Sequence, residues 1–312
     1  MDGNFAFVVH GWKEGINTTW VNGTISGLLR HRGGCVFFID YSKYSKVGNY
    51  FELCGNFHGI SALLLRKFEQ IGNYERQFCF GFSFGSRLCI DVGFNIGNQT
   101  IPRMDLCDPA GPCFDGSSRF RDPKLAAKNV ACINTSSDKG TGRHNCHQNF
   151  RMGKCGSSQP AAGKYPLGSH GLCPYFYNLA FDNKFMPNNF FKCNSKQMAN
   201  FTEEDSISMG YLGDFNRTSV QGDIFIATAK FPPYVVVNDT IDNRPIVENT
   251  DDPPTTSPMS EIENITKATG ENFINTTENK IADARIEFSE EKNSSIFINI
   301  SENVIDEHYM EY

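Results

Sequence analysis

The sequence predicts an α/β fold with a mostly parallel sheet that helices cover on both faces. Continuous apolar runs at residues 5–9 and 35–40 are typical of strands that are buried on both sides. Residues 50–70 then carry apolar side chains at helical spacing, before another apolar run at 77–80. Because buried strands that alternate with helices usually pair in parallel, these observations favour the α/β class.

A change in composition near residue 237 divides the chain into two predicted regions, 1–237 and 238–312. The second contains 17 acidic and 5 basic side chains and no cysteine, whereas the first has a net charge of +6. The second also has a breaker cluster at 251–258. Since it buries too little apolar surface to offset its ordering entropy, we expect 238–312 to be disordered, with a run at 295–298 that pairs only transiently as a strand.

The positive charge of the first region has two interpretations. It could favour an anionic lipid surface, or it could be an ordinary solvated face without a partner, which is the commoner case. No basic patch interleaved with aromatic residues suggests a nucleic-acid partner, and no glycine-rich phosphate loop follows a predicted strand.

Cysteines and glycosylation sequons predict an extracellular, secreted glycoprotein. All eleven cysteines lie within the first 193 residues, a density that suits an oxidising compartment, and their odd number leaves at least one outside intramolecular disulfides. Sequons of the type Asn-X-Ser/Thr begin at Asn17, Asn22, Asn98, Asn134, Asn200, Asn216, Asn238, Asn264, Asn275, Asn293 and Asn299.

The first twelve residues do not have the features of a signal peptide. MDGNFAFVVHGW lacks a basic segment, a sufficiently long apolar stretch and a cleavage site. We therefore expect the N-terminus to be incomplete. No run approaches the roughly 20 apolar residues that span a bilayer, so no transmembrane segment is expected.

The segment Gly81-Phe82-Ser83-Phe84-Gly85 has the pattern of a nucleophile elbow, Gly-X-Ser-X-Gly. Small residues are needed on both sides because the serine lies on a strained turn between a strand and a helix. The segment follows the run at 77–80 and precedes a predicted helix at 86–94. Ser83 is therefore the candidate nucleophile.

Two later residues complete a candidate catalytic triad in the order expected for such a fold. Asp108 lies 25 residues after Ser83, and His170 lies another 62 residues on. His170 would act as general base and Asp108 would fix its tautomer. Alternatively, Asp108 caps a turn before Pro109 and His170 is an ordinary loop histidine.

The segment His10-Gly11-Trp12, directly after the first predicted strand, is a candidate for the oxyanion hole. A backbone N–H there can join the N–H of the residue after the nucleophile. We assign the two donors to Trp12 and Phe84.

With these motifs the chain resembles the pancreatic-lipase family of animal lipases, in an arthropod-like form. Over about residues 4–230, the matching stretches in family order are FVVHGW, GFSFGSR, DLCDPAGPCFD, RFRDPKLAAKNV, GSHGLCPYFYNLAF and SMGYLGDFNRTSVQGDIFIAT. The resemblance implies an α/β-hydrolase fold. It also implies a secreted serine hydrolase that cleaves carboxylic esters of lipids through an acyl-enzyme, either as an acylglycerol lipase or as a phospholipase A1-like enzyme. Ser83, Asp108 and His170 then correspond to the family's triad.

The resemblance also implies that the partner is a lipid or ester at a lipid–water interface and that no cofactor is needed. We expect a monomer or a weak oligomer. The chain departs from the family at Phe82 and Phe84, where His and Leu are usual, and it lacks the strands that precede FVVHGW. Without those strands an edge of the sheet would be uncovered.

The loop before His170 indicates an open site. The predicted lid, residues 161–169, is short and contains no cysteine. Within the family so short a lid is typical of the phospholipase A1-like branch. Triacylglycerols, phospholipids and simple esters all remain candidate substrates.

Three alternatives stay open. The chain could be a non-catalytic lipid-binding or storage relative, similar to yolk proteins, although such proteins generally lose the nucleophile. It could instead be a glycoprotein whose acidic tail binds a partner. Finally, His144, Cys146, His147 and Cys155 could ligate a metal, but their spacing matches no recognised site and Cys146 is better explained by a disulfide.

Overall fold

The sheet is eight-stranded within the residues that the computed structural model describes, which are 4–164, 167–187, 193–200, 220–236 and 293–299. The strand order is β7-β6-β5-β4-β3-β1-β2-β8, and every neighbouring pair is parallel. The strands are β1 (Phe5–Val9), β2 (Gly34–Asp40), β3 (Gln77–Phe82), β4 (Arg103–Cys107), β5 (Asn129–Asn134), β6 (Gln148–Met152), β7 (Gly222–Ile226) and β8 (Asn293–Asn299). The predicted α/β class with a parallel sheet is therefore confirmed.

Six α-helices connect or flank these strands in the described part of the chain. They are α1 (Thr19–Arg32), α2 (Ser42–Ser45), α3 (Tyr50–Gly55), α4 (Phe57–Ile71), α5 (Phe84–Ile96) and α6 (Cys173–Leu179). None of them is long and apolar enough to cross a membrane.

Apolar side chains on both faces of the sheet explain why its strands are continuously apolar. Val8 on β1 belongs to the core that includes Leu28 of α1 and Phe176 of α6. On the opposite face, the ring of Phe7 stacks on Phe68 of α4 with 3.7 Å between centroids. Since successive strand residues point to opposite faces, β1 contributes to two cores at once.

The helix predicted over residues 50–70 is divided in two. α3 ends at Gly55, and α4 begins at Phe57. Asn56 lies between them, and its side chain donates back to the carbonyl of Glu52 at 3.2 Å. Asparagine competes for backbone hydrogen bonds in this way, which favours a helix boundary over a helix interior.

One part of the predicted disordered tail forms a strand. β8 pairs in parallel with the full length of β2, from Gly34 beside Asn293 to Asp40 beside Asn299. Ile298 is buried there. We expected one edge of the sheet to be uncovered, whereas in the structure the edge of β2 is covered by later residues of the chain. The remaining residues of 238–312, including the breaker cluster at 251–258, lie outside the described residues, and their disorder stays a prediction.

Five disulfides link the cysteines of the described residues. They join Cys54 to Cys113, Cys79 to Cys89, Cys107 to Cys173, Cys132 to Cys146 and Cys155 to Cys193. Cys35, on β2, takes part in none of these five bonds. This agrees with the odd number of cysteines.

Candidate active site

Ser83 occupies a strained turn between β3 and α5. Its backbone has φ 55° and ψ −116°, a conformation that costs energy for any residue other than glycine. The turn lifts the side chain off the end of the sheet, while the first turn of α5 begins at the next residue. The predicted elbow therefore has the geometry that the Gly-X-Ser-X-Gly pattern requires.

The two elbow glycines, Gly81 and Gly85, allow close packing around Ser83. A Cβ atom at Gly81 would lie 2.6 Å from the Cα of Ser86, and one at Gly85 would lie 2.3 Å from the carbonyl oxygen of Val9. Both distances are impossible for real atoms, so any side chain at either position would push α5 away from the sheet. The predicted role of these glycines as elbow residues agrees with this packing.

The structure brings Ser83, His170 and Asp108 together in one chain of hydrogen bonds. The Oγ of Ser83 lies 2.8 Å from the Nε2 of His170. On the other side of the imidazole, Nδ1 lies 2.5 Å from the Oδ2 of Asp108. Because a carboxylate only accepts hydrogen bonds, Nδ1 carries the proton and Nε2 is left to accept the Ser83 hydroxyl. These contacts agree with the predicted triad, whose catalytic roles stay a prediction.

Asp108 is buried, and all its contacts stabilise a carboxylate. Oδ1 accepts the backbone N–H groups of Thr135 at 2.8 Å and Ser136 at 3.1 Å. Oδ2 accepts the hydroxyl of Ser136 at 2.5 Å as well as the imidazole. These donors fix the orientation of the Asp108 carboxyl group, so that it can orient the His170 ring in turn.

The loop that carries Asp108 is anchored to the elbow. The backbone N–H of Ala110 donates to the carbonyl oxygen of Ser83 at 3.1 Å. Arg87, on α5, donates from Nε to the carbonyl of Ala110 at 2.8 Å and contacts Asp115 through a second nitrogen at 3.2 Å. Burial lowers the pKa of Arg87 to about 10, so the guanidinium stays charged at neutral pH. Arg87 thus connects the nucleophile helix to the acid loop.

His170 is held by packing and by a nearby disulfide. Its ring lies 4.9 Å from the ring of Phe82, between centroids, and its side chain is 14% exposed. Three residues later, Cys173 forms a disulfide with Cys107, the residue before Asp108. Phe82 occupies the position where the resembled family has histidine. Its ring packs against the imidazole of His170.

The segment His10-Gly11-Trp12 leads from β1 past the elbow. The Nδ1–H of His10 donates to the carbonyl of Gly11 at 2.9 Å, and the hydroxyl of Tyr41 donates to the carbonyl of His10 at 2.5 Å. The indole Nε1–H of Trp12 donates to the carbonyl of Val47 at 3.0 Å. These three bonds restrict the conformation of the His10-Gly11-Trp12 segment, which would otherwise be flexible at Gly11.

The backbone N–H groups of Trp12 and Phe84 are the predicted oxyanion donors. Neither donates to an acceptor in the described part of the chain. Phe84 is the first residue of α5, where backbone N–H groups have no acceptor within the helix. Their assignment as oxyanion donors stays a prediction, and it agrees with the lack of another acceptor for either N–H group in the described part of the chain.

The short loop before His170 is folded against the protein body. The hydroxyl of Ser169 accepts the backbone N–H of Gln159 at 3.0 Å. The buried amide of Gln159 donates to the carbonyls of Thr135 and Met152 at 2.9 and 3.0 Å. Both ends of the predicted lid, 161–169, are thus attached to fixed residues; residues 165–166 of it lie outside the described residues.

The contacts of the candidate metal ligands argue against a metal site. Cys146 is bonded to Cys132, and Cys155 is bonded to Cys193, so neither offers a thiolate. The Nδ1 of His147 accepts the backbone N–H of Val130 at 3.1 Å. His144 is the remaining residue of the set, and the described residues contain no group of three or more His, Cys, Asp or Glu side chains that could hold a metal ion.

Sequence reasoning missed several residues that shape the site, namely Glu14, Arg87, Ser136 and Gln159. Ser136 donates to Asp108, and Glu14 accepts the backbone N–H of Gly11 at 2.7 Å. No local pattern identifies such residues, because each contact depends on how distant loops meet. Arg87 was within the quoted GFSFGSR segment, and its position one turn after Ser83 was the available signal.

Comparisons with known proteins leave the family open. No profile of a known protein family and no curated protein matches the chain. Among solved structures, the chain is similar to a protein of Xanthomonas campestris pv. campestris that is provisionally described as a hydrolase of the alpha/beta superfamily. The identity is 13%, the TM-score is 0.33, and the match covers 45% of this chain and 76% of the other. A likeness at this level carries no argument about activity.

The fold and the site together define the class of the protein. A parallel sheet with a strained serine elbow after β3, and with an acid and a histidine on later loops, is the arrangement of an α/β-hydrolase fold.

Proposed function

We propose that the chain is a serine hydrolase that cleaves carboxylic esters of lipids through an acyl-enzyme. One observation carries the proposal: Ser83, on a strained elbow, is hydrogen-bonded through His170 to the buried carboxylate of Asp108. Such an arrangement activates a hydroxyl that is otherwise a poor nucleophile.

In the first half of the proposed reaction, the Oγ of Ser83 attacks the ester carbonyl carbon while Nε2 of His170 takes the hydroxyl proton. The carbonyl oxygen becomes an oxyanion, which the N–H groups of Trp12 and Phe84 stabilise. When the tetrahedral intermediate collapses, the ester C–O bond breaks and His170 returns the proton to the leaving alcohol. Asp108 stabilises the imidazolium throughout and keeps its own charge.

In the second half, water takes the place of the alcohol. His170 accepts a proton from water as its oxygen attacks the acyl-enzyme carbonyl. Collapse of the second intermediate breaks the bond to Ser83, and His170 returns the proton to Oγ. The products are a carboxylic acid and the restored serine.

The substrate class rests on the resemblance noted above and on the short loop before His170. A site that keeps His170 partly exposed suits an ester presented at a lipid surface. Acylglycerols and phospholipids are both candidates, as either an acylglycerol lipase or a phospholipase A1-like enzyme would cleave them.

Secretion is part of the same proposal. Five disulfides in the described residues support an oxidising compartment. The sequon asparagines Asn17, Asn22, Asn98 and Asn200 are exposed and could carry glycans, whereas Asn134 is buried in β5 and could not.

Turnover measurements test the proposal. The wild-type chain and Ser83→Ala are compared on p-nitrophenyl butyrate, emulsified triacylglycerol and phosphatidylcholine vesicles. We expect wild-type hydrolysis of at least one of these and a loss of about 10⁴-fold or more in Ser83→Ala. Equal rates in both proteins would contradict the proposal. Lipid binding without turnover by the wild type would instead support the non-catalytic, yolk-protein-like alternative.

A further inference from the structure

Glu14 has a partly buried carboxylate beside the segment that follows β1. Its Oε2 accepts the backbone N–H of Gly11 at 2.7 Å. Its Oε1 accepts the indole Nε1–H of Trp20 at 2.9 Å, and Trp20 is a buried residue of α1. One side chain therefore connects the segment His10-Gly11-Trp12 to the first helix of the fold.

Gly11 lies between Glu14 and the candidate nucleophile. A Cβ atom at Gly11 would be 3.0 Å from the Oε2 of Glu14 and 3.2 Å from the Cβ of Ser83. The carboxylate is thus one residue removed from Ser83 and does not reach the reacting atoms itself. Burial raises the pKa of Glu14, and the hydrogen bonds from Trp20 and Gly11 oppose that shift.

The two peptide planes beside Gly11 are held by different residues. Glu14 holds the N–H of Gly11, and the His10 ring holds its carbonyl at 2.9 Å. Because a trans peptide is planar, the N–H of Trp12 points opposite to that carbonyl. Glycine has little conformational preference of its own, so these two bonds determine where the Trp12 N–H is directed.

We propose that Glu14 is a positioning residue for the oxyanion-binding segment, whose carboxylate holds Gly11 so that the Trp12 N–H faces the acyl oxygen bound at Ser83. The inference rests on the proposed function and adds a residue that is outside the triad. Glu14 acts only through Gly11 and makes no contact with substrate. Its effect should appear in transition-state stabilisation more than in substrate binding, because the oxyanion forms only after attack.

Three variants separate the contacts of Glu14. Glu14→Gln preserves size but replaces one acceptor oxygen by an amide that cannot accept, so one of the two bonds is lost. Glu14→Ala removes both bonds. Trp20→Phe removes the indole donor together with part of a buried ring, and it leaves the bond to Gly11. Asp91→Asn is the matched control, because the Asp91 carboxylate is buried and also accepts a side-chain hydrogen bond, from the Ser61 hydroxyl at 2.6 Å.

The experiment measures kcat and KM on p-nitrophenyl butyrate, together with inhibition by a trifluoromethyl ketone and by the corresponding unreactive methyl ketone. The trifluoromethyl ketone forms a tetrahedral adduct with a serine, whereas the methyl ketone reports only binding. Circular dichroism and thermal unfolding establish that each variant is folded.

We expect Glu14→Ala, which removes the bond to Gly11, to lower kcat by about 10-fold or more with KM within about 2-fold. Affinity for the trifluoromethyl ketone should fall by the same factor, while affinity for the methyl ketone is retained. Glu14→Gln, whose remaining oxygen can still accept from Gly11, should show a smaller effect, and so should Trp20→Phe, which keeps that bond. Asp91→Asn should keep the wild-type kcat.

An unchanged kcat in folded Glu14→Ala, or a loss that appears only in KM, would overturn the positioning role while leaving the proposed function intact. An equal loss of kcat in Asp91→Asn would also overturn it, since the effect would then be one of general stability. If the wild type neither hydrolyses the ester nor binds the trifluoromethyl ketone more tightly than the methyl ketone, the proposed function and this inference both fail.

Discussion

Cys107 and Cys173 form a disulfide that joins the two later parts of the candidate triad. Cys107 ends β4 directly before Asp108, and Cys173 begins α6 three residues after His170. The hydrogen bond between Asp108 and His170 is therefore supported by a covalent link on the adjoining backbone. The positions of Asp108 and His170 are therefore constrained by this disulfide as well as by their own loops.

Removing this disulfide should affect activity as well as stability. We expect Cys107→Ala with Cys173→Ala to lower the free energy of unfolding by about 2–5 kcal/mol. The kcat of the protein that remains folded should fall about 10-fold or more, because small misplacements of catalytic groups are costly. Urea unfolding and ester hydrolysis on the same samples measure both effects.

The double variant Cys155→Ala with Cys193→Ala is the matched control. It also removes one disulfide, but that bond connects neither residue next to the triad. It should lose stability while keeping kcat. An unchanged kcat in the variant without Cys107 and Cys173 would show that the disulfide does not position the site.

The kcat should depend strongly on the carboxylate of Asp108 and less strongly on the hydroxyl of Ser136. Asp108→Asn should lower kcat by about 10⁴-fold, because an amide no longer holds His170 in the required tautomer. Ser136→Ala removes the hydroxyl donor at 2.5 Å but leaves two backbone donors to Asp108, so we expect a loss of about 10-fold.

Ser61→Ala serves as the control for the Ser136 effect, because it removes a serine that donates to a different buried carboxylate, Asp91. Its kcat should equal that of the wild type. Steady-state kinetics on a soluble ester are sufficient. If Asp108→Asn retained wild-type kcat, Asp108 would not be the triad acid.

Asp40 should make stability depend on pH in the acidic range. The contact with His10 is the main cause that lowers the pKa of Asp40 from 3.8 to about 2, and burial opposes it. A carboxyl whose pKa is lowered by folding stabilises the protein above its unfolded-state pKa and loses that contribution as pH falls through its folded-state value.

The free energy of unfolding should therefore be higher in the wild type than in Asp40→Asn at pH above 3.8, and this difference should disappear as pH approaches about 2. Urea unfolding of both proteins over this range measures it. A difference that stays constant with pH would show that the Asp40 charge is not responsible.

The strand β8 should contribute to the stability of the sheet edge. Ile298 is buried and Ser295 is exposed, on opposite faces of the same strand. Ile298→Asp buries an unpaired charge and should release β8, which exposes the amides of β2. Hydrogen exchange of residues 34–40 reports this directly.

Ser295→Asp is the control with the same added charge and should change stability by less than about 0.5 kcal/mol. Equal exchange of the β2 amides in the wild type and Ile298→Asp would contradict the role of β8.

The parts of the fold that depend on local sequence could be predicted. β1 and β2 are continuous apolar runs, and Ser83 is bounded by glycines after such a run. Buried parallel strands and a tight elbow both leave these patterns within a few residues. Asp108 and His170 were then predicted from their order along the chain after Ser83.

Contacts between distant segments could not be predicted. The pairing of β8 with β2 joins residues more than 250 positions apart. The sequence of β8, a short strand within the acidic region, does not indicate which strand it pairs with. Ser136 and Glu14 are polar residues in loops, and their roles depend on where Asp108 and Gly11 lie after folding. The division of the helix at Asn56 also depended on a side-chain hydrogen bond that apolar spacing does not reveal.

The central claim is that Ser83 is a nucleophile activated by His170. Reaction of the folded protein with a fluorophosphonate tests it most directly, because attack by Oγ displaces fluoride and leaves a phosphonyl group of known mass on the serine. We expect one adduct per chain, located by peptide mass spectrometry on Ser83, with no adduct in Ser83→Ala and much slower reaction in His170→Gln. No reaction in the wild type, or an equal adduct in Ser83→Ala, would contradict the account.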